Sequence, residues 1–216
     1  AVNFVVPSGN FGDAFAGFVA LKMGLPIRRI VVATNSNDIL ARTFATGRYS
    51  RGTVQATLSP AMDIQSASNF ERLYFEGVQR NATDTARAFE AFARTGVIDI
   101  PPGALAAMQA VFTGVSIGED EKVRTIVSKL NEPGELIDPH TAVAVAALRH
   151  VDLEGPTVVL STAHPAKFPE DVARASGVTP QPPRGAADLA RRTERFDRLP
   201  AEADTIKAYV RAFAEG

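Results

Sequence analysis

Six residues near the start of the chain, Ser8-Gly9-Asn10-Phe11-Gly12-Asp13, have the types and spacing of an anion site. They follow an apolar run, Val2–Val6, that reads as a buried strand. They lead into residues 11–23, which read as a helix with Phe15, Phe18 and Val19 on one face. The first turn of a helix leaves backbone N–H groups unpaired, and its dipole adds partial positive charge. Gly9 and Gly12 let the backbone approach a ligand closely, so a phosphate fits there. Ser8 and Asn10 can add side-chain hydrogen bonds to the same oxygens, or one of them can cap the helix. Asp13 would repel a phosphate dianion, so it is expected to turn away and accept helix N–H groups. The turn lacks the first glycine of a dinucleotide fingerprint, and no Gly-Lys-Ser/Thr follows as in a Walker loop.

Other reactive side chains are scattered. His140, His150 and His164 have no ligand spacing on a common helix, so no metal site is expected. No Gly-x-Ser-x-Gly elbow supports serine nucleophilic chemistry. Asp138-Pro139-His140 has the form of a helix start. Asn35, Asn37 and Asp38 end a second apolar run, Ile30–Ala33, where Asn37 or Asp38 is expected to cap the next helix. The Arg72 fork fits a carboxylate or a phosphate, or pairs with Glu71 or Glu76 on its own helix. Five lysines occur, Lys22, Lys122, Lys129, Lys167 and Lys207. Lys122 and Lys129 read as the solvated side of an amphipathic helix.

The elements that must position these residues alternate. Strand, turn, helix and strand within the first thirty-odd residues make a βαβ unit, helix 1 being stopped by Gly24 before Pro26. Further strands are expected at Val111–Ser116 and Thr157–Leu160. Helices are expected over 37–46, 68–80, 83–95, 104–109, 118–130, 140–150 and 168–175. This is an α/β pattern with a mostly parallel sheet that looks incomplete for so many helices. Val178–Gly185 reads as a linker. The charged run Asp188–Arg198 reads as a solvated helix face, and a last amphipathic helix carries Ile206, Tyr209, Val210 and Phe213 on one side.

Composition narrows the class. The 216 residues carry a net charge of −1 with both signs interspersed, which argues against sequence-blind nucleic-acid binding. No apolar run reaches the length of a membrane span, and no secretory leader is recognisable. With no cysteine, disulfides and thiolate chemistry are excluded. A cytoplasmic protein without nucleic-acid or membrane partners is the expectation.

VPSGNFGDAFAGFVALKMGLPI, VATNSNDIL, TLSPAMDIQSASNFER, IDPHTAVAVAAL and LSTAHPAKFPEDV occur in that order. Together they resemble the C-terminal half of threonine synthases over roughly residues 1–175. The resemblance implies a partial parallel-sheet large domain of a fold-type-II, tryptophan synthase β-like enzyme, with the N-terminal half missing. Residues 1–177 would be the C-terminal part of the catalytic domain, and 178–216 a linker and helical tail. The implied cofactor is pyridoxal 5'-phosphate (PLP). Its phosphate would lie on Ser8, Gly9, Asn10, Phe11 and Gly12. Its ring nitrogen would face a hydroxyl of Thr162 or, alternatively, Ser161. Asp138, His140, His164, Asn35 and Arg72 are the substrate or pocket candidates.

The implied reaction converts O-phospho-L-homoserine and water to L-threonine and phosphate. None of the five lysines matches the family's Schiff-base motif, so no catalytic residue is expected within the chain, which alone should be inactive without an N-terminal half. Two alternatives are another fold-type-II lyase and a half-length, non-catalytic module that binds a phosphate-bearing ligand.

Overall fold

The computed structural model describes residues 1–186 and 188–215. Ala187 and Gly216, in the expected tail, lie outside the described residues. Along the chain run β1 (Val2–Pro7), α1 (Gly12–Lys22), β2 (Ile27–Thr34), α2 (Ile39–Thr46), β3 (Arg48–Ser50), α3 (Phe70–Gly77), α4 (Ala82–Thr95) and β4 (Val97–Asp99). There follow α5 (Pro102–Gln109), β5 (Phe112–Ser116), α6 (Glu119–Asn131), α7 (Pro139–Ala147), β6 (Thr157–Val159), α8 (Pro169–Ser176) and α9 (Ala203–Glu215). The chain divides into two compact units, Ala1–Gln181 and Pro182–Gly216.

The first unit is built on a four-stranded sheet in the order β5-β2-β1-β6. Every pairing is parallel, with Phe4 opposite Ile30 and Val158, and Ile30 opposite Phe112. Alternate residues of a strand face opposite sides, so both faces need cover. Val6, Ile30, Val32 and Phe112 enter one core with residues of α1, α2, α3 and α5. Val5, Val31, Ala33 and Val115 enter a second core against α7. That helix is Ala-rich, and Ala142, Val143, Ala144, Ala146 and Ala147 are fully buried. Small side chains allow it to lie close to the sheet.

The larger core is aromatic. Phe11, Phe44, Phe70 and Phe112 meet with ring centroids 5.3–6.4 Å apart. Tyr49 stacks on Phe70 at 4.5 Å, and its hydroxyl accepts the Ala67 N–H at 2.7 Å. Burial raises the Tyr49 pKa above its ordinary value. Tyr49 belongs to an antiparallel pair, β3 with β4, that the sequence did not suggest because each strand has three residues.

Several expectations need correction. On α1, Phe15 and Phe18 pack against the core while Val19 is exposed. Neither Asn37 nor Asp38 caps α2 through its side chain; the Asp38 carboxylate instead accepts from Arg42 Nε at 2.7 Å. Lys122 is not on the solvated face of α6 but fully buried. In the second unit, Asp188–Arg198 is no helix face. Only Leu189–Arg191 forms a short 3-10 turn, beside an Arg192–Asp188 ion pair at 2.8 Å. The α9 helix carries no buried residue, and Ile206, Tyr209, Val210 and Phe213 are exposed. Among the described residues, no helix is long and apolar enough to cross a membrane.

Candidate active site

All four parallel strands leave the sheet at one edge, where α/β sheets hold their ligands. The β1 exit carries Ser8–Gly12 and the β6 exit carries Ser161 and Thr162. The pairing of β1 with β6 continues one residue further, the Leu160 N–H donating to Val5 O at 3.0 Å. Ser8, Gly9, Asn10, Phe11, Gly12 and Thr162 therefore line one cavity of about 270 Å³. Ala61, Met62, His140 and Phe168 complete its wall.

The turn is shaped from beneath. Phe11 sits at φ 66°, a left-handed conformation that costs a non-glycine residue ~1–3 kcal/mol. Its ring, fully buried among Phe44, Phe70 and Phe112, anchors that conformation. The Phe11 N–H donates to Ser8 Oγ at 3.2 Å, and the Ser8 N–H donates to Ala33 O at 2.9 Å. Among the described residues, the N–H groups of Gly9, Asn10, Gly12 and Asp13 donate to no protein acceptor. They are left for a ligand or water, at the positive end of α1. Phe11 thus contributes its side chain as an anchor, and its N–H is already committed.

Neither Ser8 nor Asn10 caps α1 through its side chain. Asn10 Oδ1 accepts from the Ser68 hydroxyl at 3.2 Å, and Asn10 O from Asn69 Nδ2 at 3.0 Å. Asp13 is exposed among the residues that line the cavity and accepts no hydrogen bond among the described residues, contrary to the expectation that it turns away and accepts helix N–H groups.

Asp138 is the N-cap of α7 and fully buried. Its carboxylate accepts from the His140 N–H and the His140 ring at 2.8 Å each, from the Thr141 N–H at 3.3 Å, and from the Thr141 hydroxyl. Burial pushes its pKa up, but these donors outweigh burial and hold it below the ordinary carboxylate value. His140 Nδ1 donates to Asp138, while its Nε2 accepts the Ala61 N–H at 3.3 Å. The ring leans on Phe168, centroids 4.4 Å apart. Thr141 Oγ1 lies 3.3 Å from Ser161 Oγ, linking the α7 start to the β6 exit.

The other candidates are placed as follows. Ser161, Thr162 and His164 line an adjoining cavity of about 680 Å³ with Glu135, Leu136 and Ile137. His164 Nδ1 accepts the Ala166 N–H at 3.1 Å and so orders its own loop. Asn35 is fully buried and does not line the 270 Å³ cavity. Its amide donates to Asp63 at 2.7 Å and to Ser59 Oγ at 3.0 Å, tethering the loop that bears Ala61 and Met62. Arg72 is exposed on α3 and lines neither cavity; Glu76 pairs with Arg80 instead, at 2.9 Å. Ala61, Met62 and Phe168 carry no reactive group and were not among the site candidates, although the motifs that resemble the family contain all three. Among the described residues no group of three or more His, Cys, Asp or Glu is disposed to hold a metal.

Known proteins resemble this chain in sequence and in fold. Residues 141–210 match the family model "Threonine synthase, C-terminal". The threonine synthase of Pseudomonas aeruginosa is 42% identical over 213 residues, covering 97% of this chain and 45% of that protein. That of Corynebacterium glutamicum is 39% identical over 217 residues, again 97% of this chain and 45% of the relative. The PLP-bound threonine synthase from Brucella melitensis superposes with a TM-score of 0.88 at 45% identity, covering all of this chain and 47% of that one. The chain belongs, by sequence and fold, with the C-terminal half of the threonine synthases. The yeast threonine synthase gives a TM-score of 0.80 at 34% identity, covering 100% of this chain and 48% of its own. The expected α/β architecture, part of the large domain of these enzymes, is the one found. The chain spans about half the length of the relatives it matches.

Proposed function

We propose that this chain supplies the phosphate-holding wall of a threonine synthase active site, converting O-phospho-L-homoserine and water to L-threonine and phosphate. The observation that carries the reading is one cavity lined by both the glycine turn and Thr162, segments about 150 residues apart in sequence. The turn suits the phosphate of PLP. It offers unpaired N–H groups at a helix N-terminus, and a Cβ on Gly9 would come within 3.0 Å of Met62 Cα. PLP, when bound, withdraws electrons from the carbon skeleton of the amino-acid substrate.

The chain's own residues would divide the remaining work. Gly9, Asn10 and Gly12 donate N–H groups to the phosphate. Thr162, or Ser161 behind it, presents a neutral hydroxyl to the ring nitrogen, which leaves that nitrogen less firmly protonated than a carboxylate would. Asp138 holds the His140 proton on Nδ1. His140 Nε2 in turn holds the Ala61 amide, which fixes the wall opposite the turn. None of Lys22, Lys122, Lys129, Lys167 and Lys207 lines the cavity. The lysine that bonds the cofactor is therefore assigned to polypeptide outside these 216 residues.

The test is threonine formation assayed with PLP and O-phospho-L-homoserine. The 216-residue chain alone is expected to give none. Together with the segment that supplies the lysine, it should release threonine and phosphate in equal amounts. Thr162→Val in that complete enzyme should lower kcat about tenfold, as loss of one positioned hydrogen bond does. Turnover by the 216 residues alone would refute the external lysine, and failure of the complete enzyme on this substrate would refute the reaction.

A further inference from the structure

Lys122 is the one lysine with no part in the function above and no solvent around it. Its side chain is 0% exposed on α6. The ammonium donates to Ser59 Oγ at 2.8 Å and pairs with Glu119 one turn back. The other Glu119 oxygen accepts the Leu58 N–H at 3.0 Å. The ion pair thus grips two consecutive residues, Leu58 and Ser59, of the loop that leads into the cavity wall. Burial lowers the lysine's pKa, opposed by Glu119 and by the charges of Asp63 and Asp171. A buried cation of this kind persists only where its partners are well placed.

The loop carries that grip directly to the cavity. The Met62 N–H donates to Ser59 O at 2.9 Å, closing the turn Pro60–Met62. Ala61 donates its N–H to His140 Nε2, and Ala61 and Met62 lie against Gly9. At the far end Asp63 accepts the Thr57 N–H at 2.8 Å and the Asn35 and Asn37 amides at 2.7 and 3.0 Å. The wall is clamped at two points, one built from Lys122 and Glu119 and one from Asp63.

We infer that Lys122 is a positioning residue for the phosphate turn, acting through Ser59 to hold Ala61 and Met62 against Gly9 and His140. This rests on the proposed reading of the turn as a phosphate site. The side chain touches no ligand itself.

The experiment uses the complete protein freed of PLP, so that the turn is open, and its Lys122→Met variant, with inorganic phosphate as the probe. Methionine keeps the volume, Ser59 Oγ keeps Asn35 and Thr57 as partners, and Glu119 reaches solvent, so the fold should survive. Phosphate affinity, by calorimetry, should fall about tenfold, which corresponds to ~1.4 kcal/mol. Hydrogen exchange at the Ala61 amide should speed up by about tenfold, with the His140 Nε2 nitrogen resonance moving toward that of a ring without the bond.

Ile126→Val, a core truncation on the same helix, controls for general loosening; it should lower the melting temperature and leave both readouts unchanged. Should Lys122→Met not fold, Glu119→Gln removes the charge pairing with little change of shape and is read in the same way. Wild-type Ala61 exchange and phosphate affinity in the variant would overturn the inference. If the wild type binds no phosphate, the phosphate reading fails by itself, and Ala61 exchange still decides whether Lys122 holds the wall.

Discussion

A methyl group at Gly9 is the sharpest probe of the site. The Cβ of alanine there would lie 3.0 Å from Met62 Cα, 3.2 Å from Ala61 O and 3.4 Å from the Ile64 side chain. The first two are backbone atoms of a turn clamped at both ends, so relief requires the wall to retreat by a few tenths of an ångström. Overpacking of this kind costs ~1–3 kcal/mol. The bond from Ala61 to His140 is already 3.3 Å long and would be the first to open. If the strain is relieved only when the wall moves off the phosphate turn, affinity for phosphate should fall about 5- to 150-fold.

Gly12→Ala is the matched control. Its Cβ would meet only Asn69 Nδ2 at 3.5 Å, an ordinary contact. Alanine also replaces glycine at the first position of α1, a change worth up to ~1 kcal/mol in favour of the helix. Titration calorimetry of the PLP-free complete protein with phosphate and a thermal melt should therefore separate the two variants. Gly9→Ala should lose affinity, while Gly12→Ala should keep it within about twofold and melt no lower than wild type. Equal affinities for wild type and Gly9→Ala would refute the geometry argued for the wall. A worse defect at Gly12 would move the ligand to the helix side of the turn.

Asp138→Asn should destabilise the protein by about 2–3 kcal/mol, because an amide brings N–H groups to a site ringed by donors. Chemical denaturation measures that loss. The folded pKa of Asp138 lies below its unfolded one, so its contribution is complete above about pH 4 and is lost as pH falls through the folded value. Wild type should accordingly lose stability faster than Asp138→Asn on acidification below pH ~4. Gly114→Ala, on β5, would bring its Cβ to 2.5 Å from Ala41 Cα on α2. Both elements are backbone held by the core, and a loss of about 3 kcal/mol, or roughly 6–12 °C in melting temperature, is expected; an unchanged melt would mean that α2 lies further from the sheet.

The sheet and its helices were legible because their signals are local. Apolar runs such as Ile30–Ala33 and stops such as Gly24 are written in adjacent residues, and the elements fall within a few positions of expectation. What failed to show is tertiary. The β3–β4 pair joins residues about 50 apart, and three-residue strands leave no periodicity. Lys122 looked solvated because a charge beside Glu119 and Glu121 on a helix ordinarily is. Its ammonium is instead bonded to Ser59 of the loop Thr57–Asp63, a tertiary contact with no local signal. Asp188–Arg198 carried helix-like charge spacing, and among its described residues no apolar face is buried to hold a helix together.

The candidate site was legible in its parts and not in its assembly. The glycine turn could be read as an anion site from helix-terminus physics, and Asp138-Pro139 as a cap. Their convergence follows from strand direction. A parallel neighbour runs in the same direction and leaves the sheet at the same edge, so pairing Asn3 with Thr157 and Val5 with Val159 brings both exits together. The pairing of β2 with β1 brings Asn35 to that edge as well, where its amide draws in the loop that becomes the far wall. Thr162 and Gly9 are therefore neighbours because of main-chain hydrogen bonds several residues away. A substitution that slipped β6 by one residue would separate them without altering either side chain.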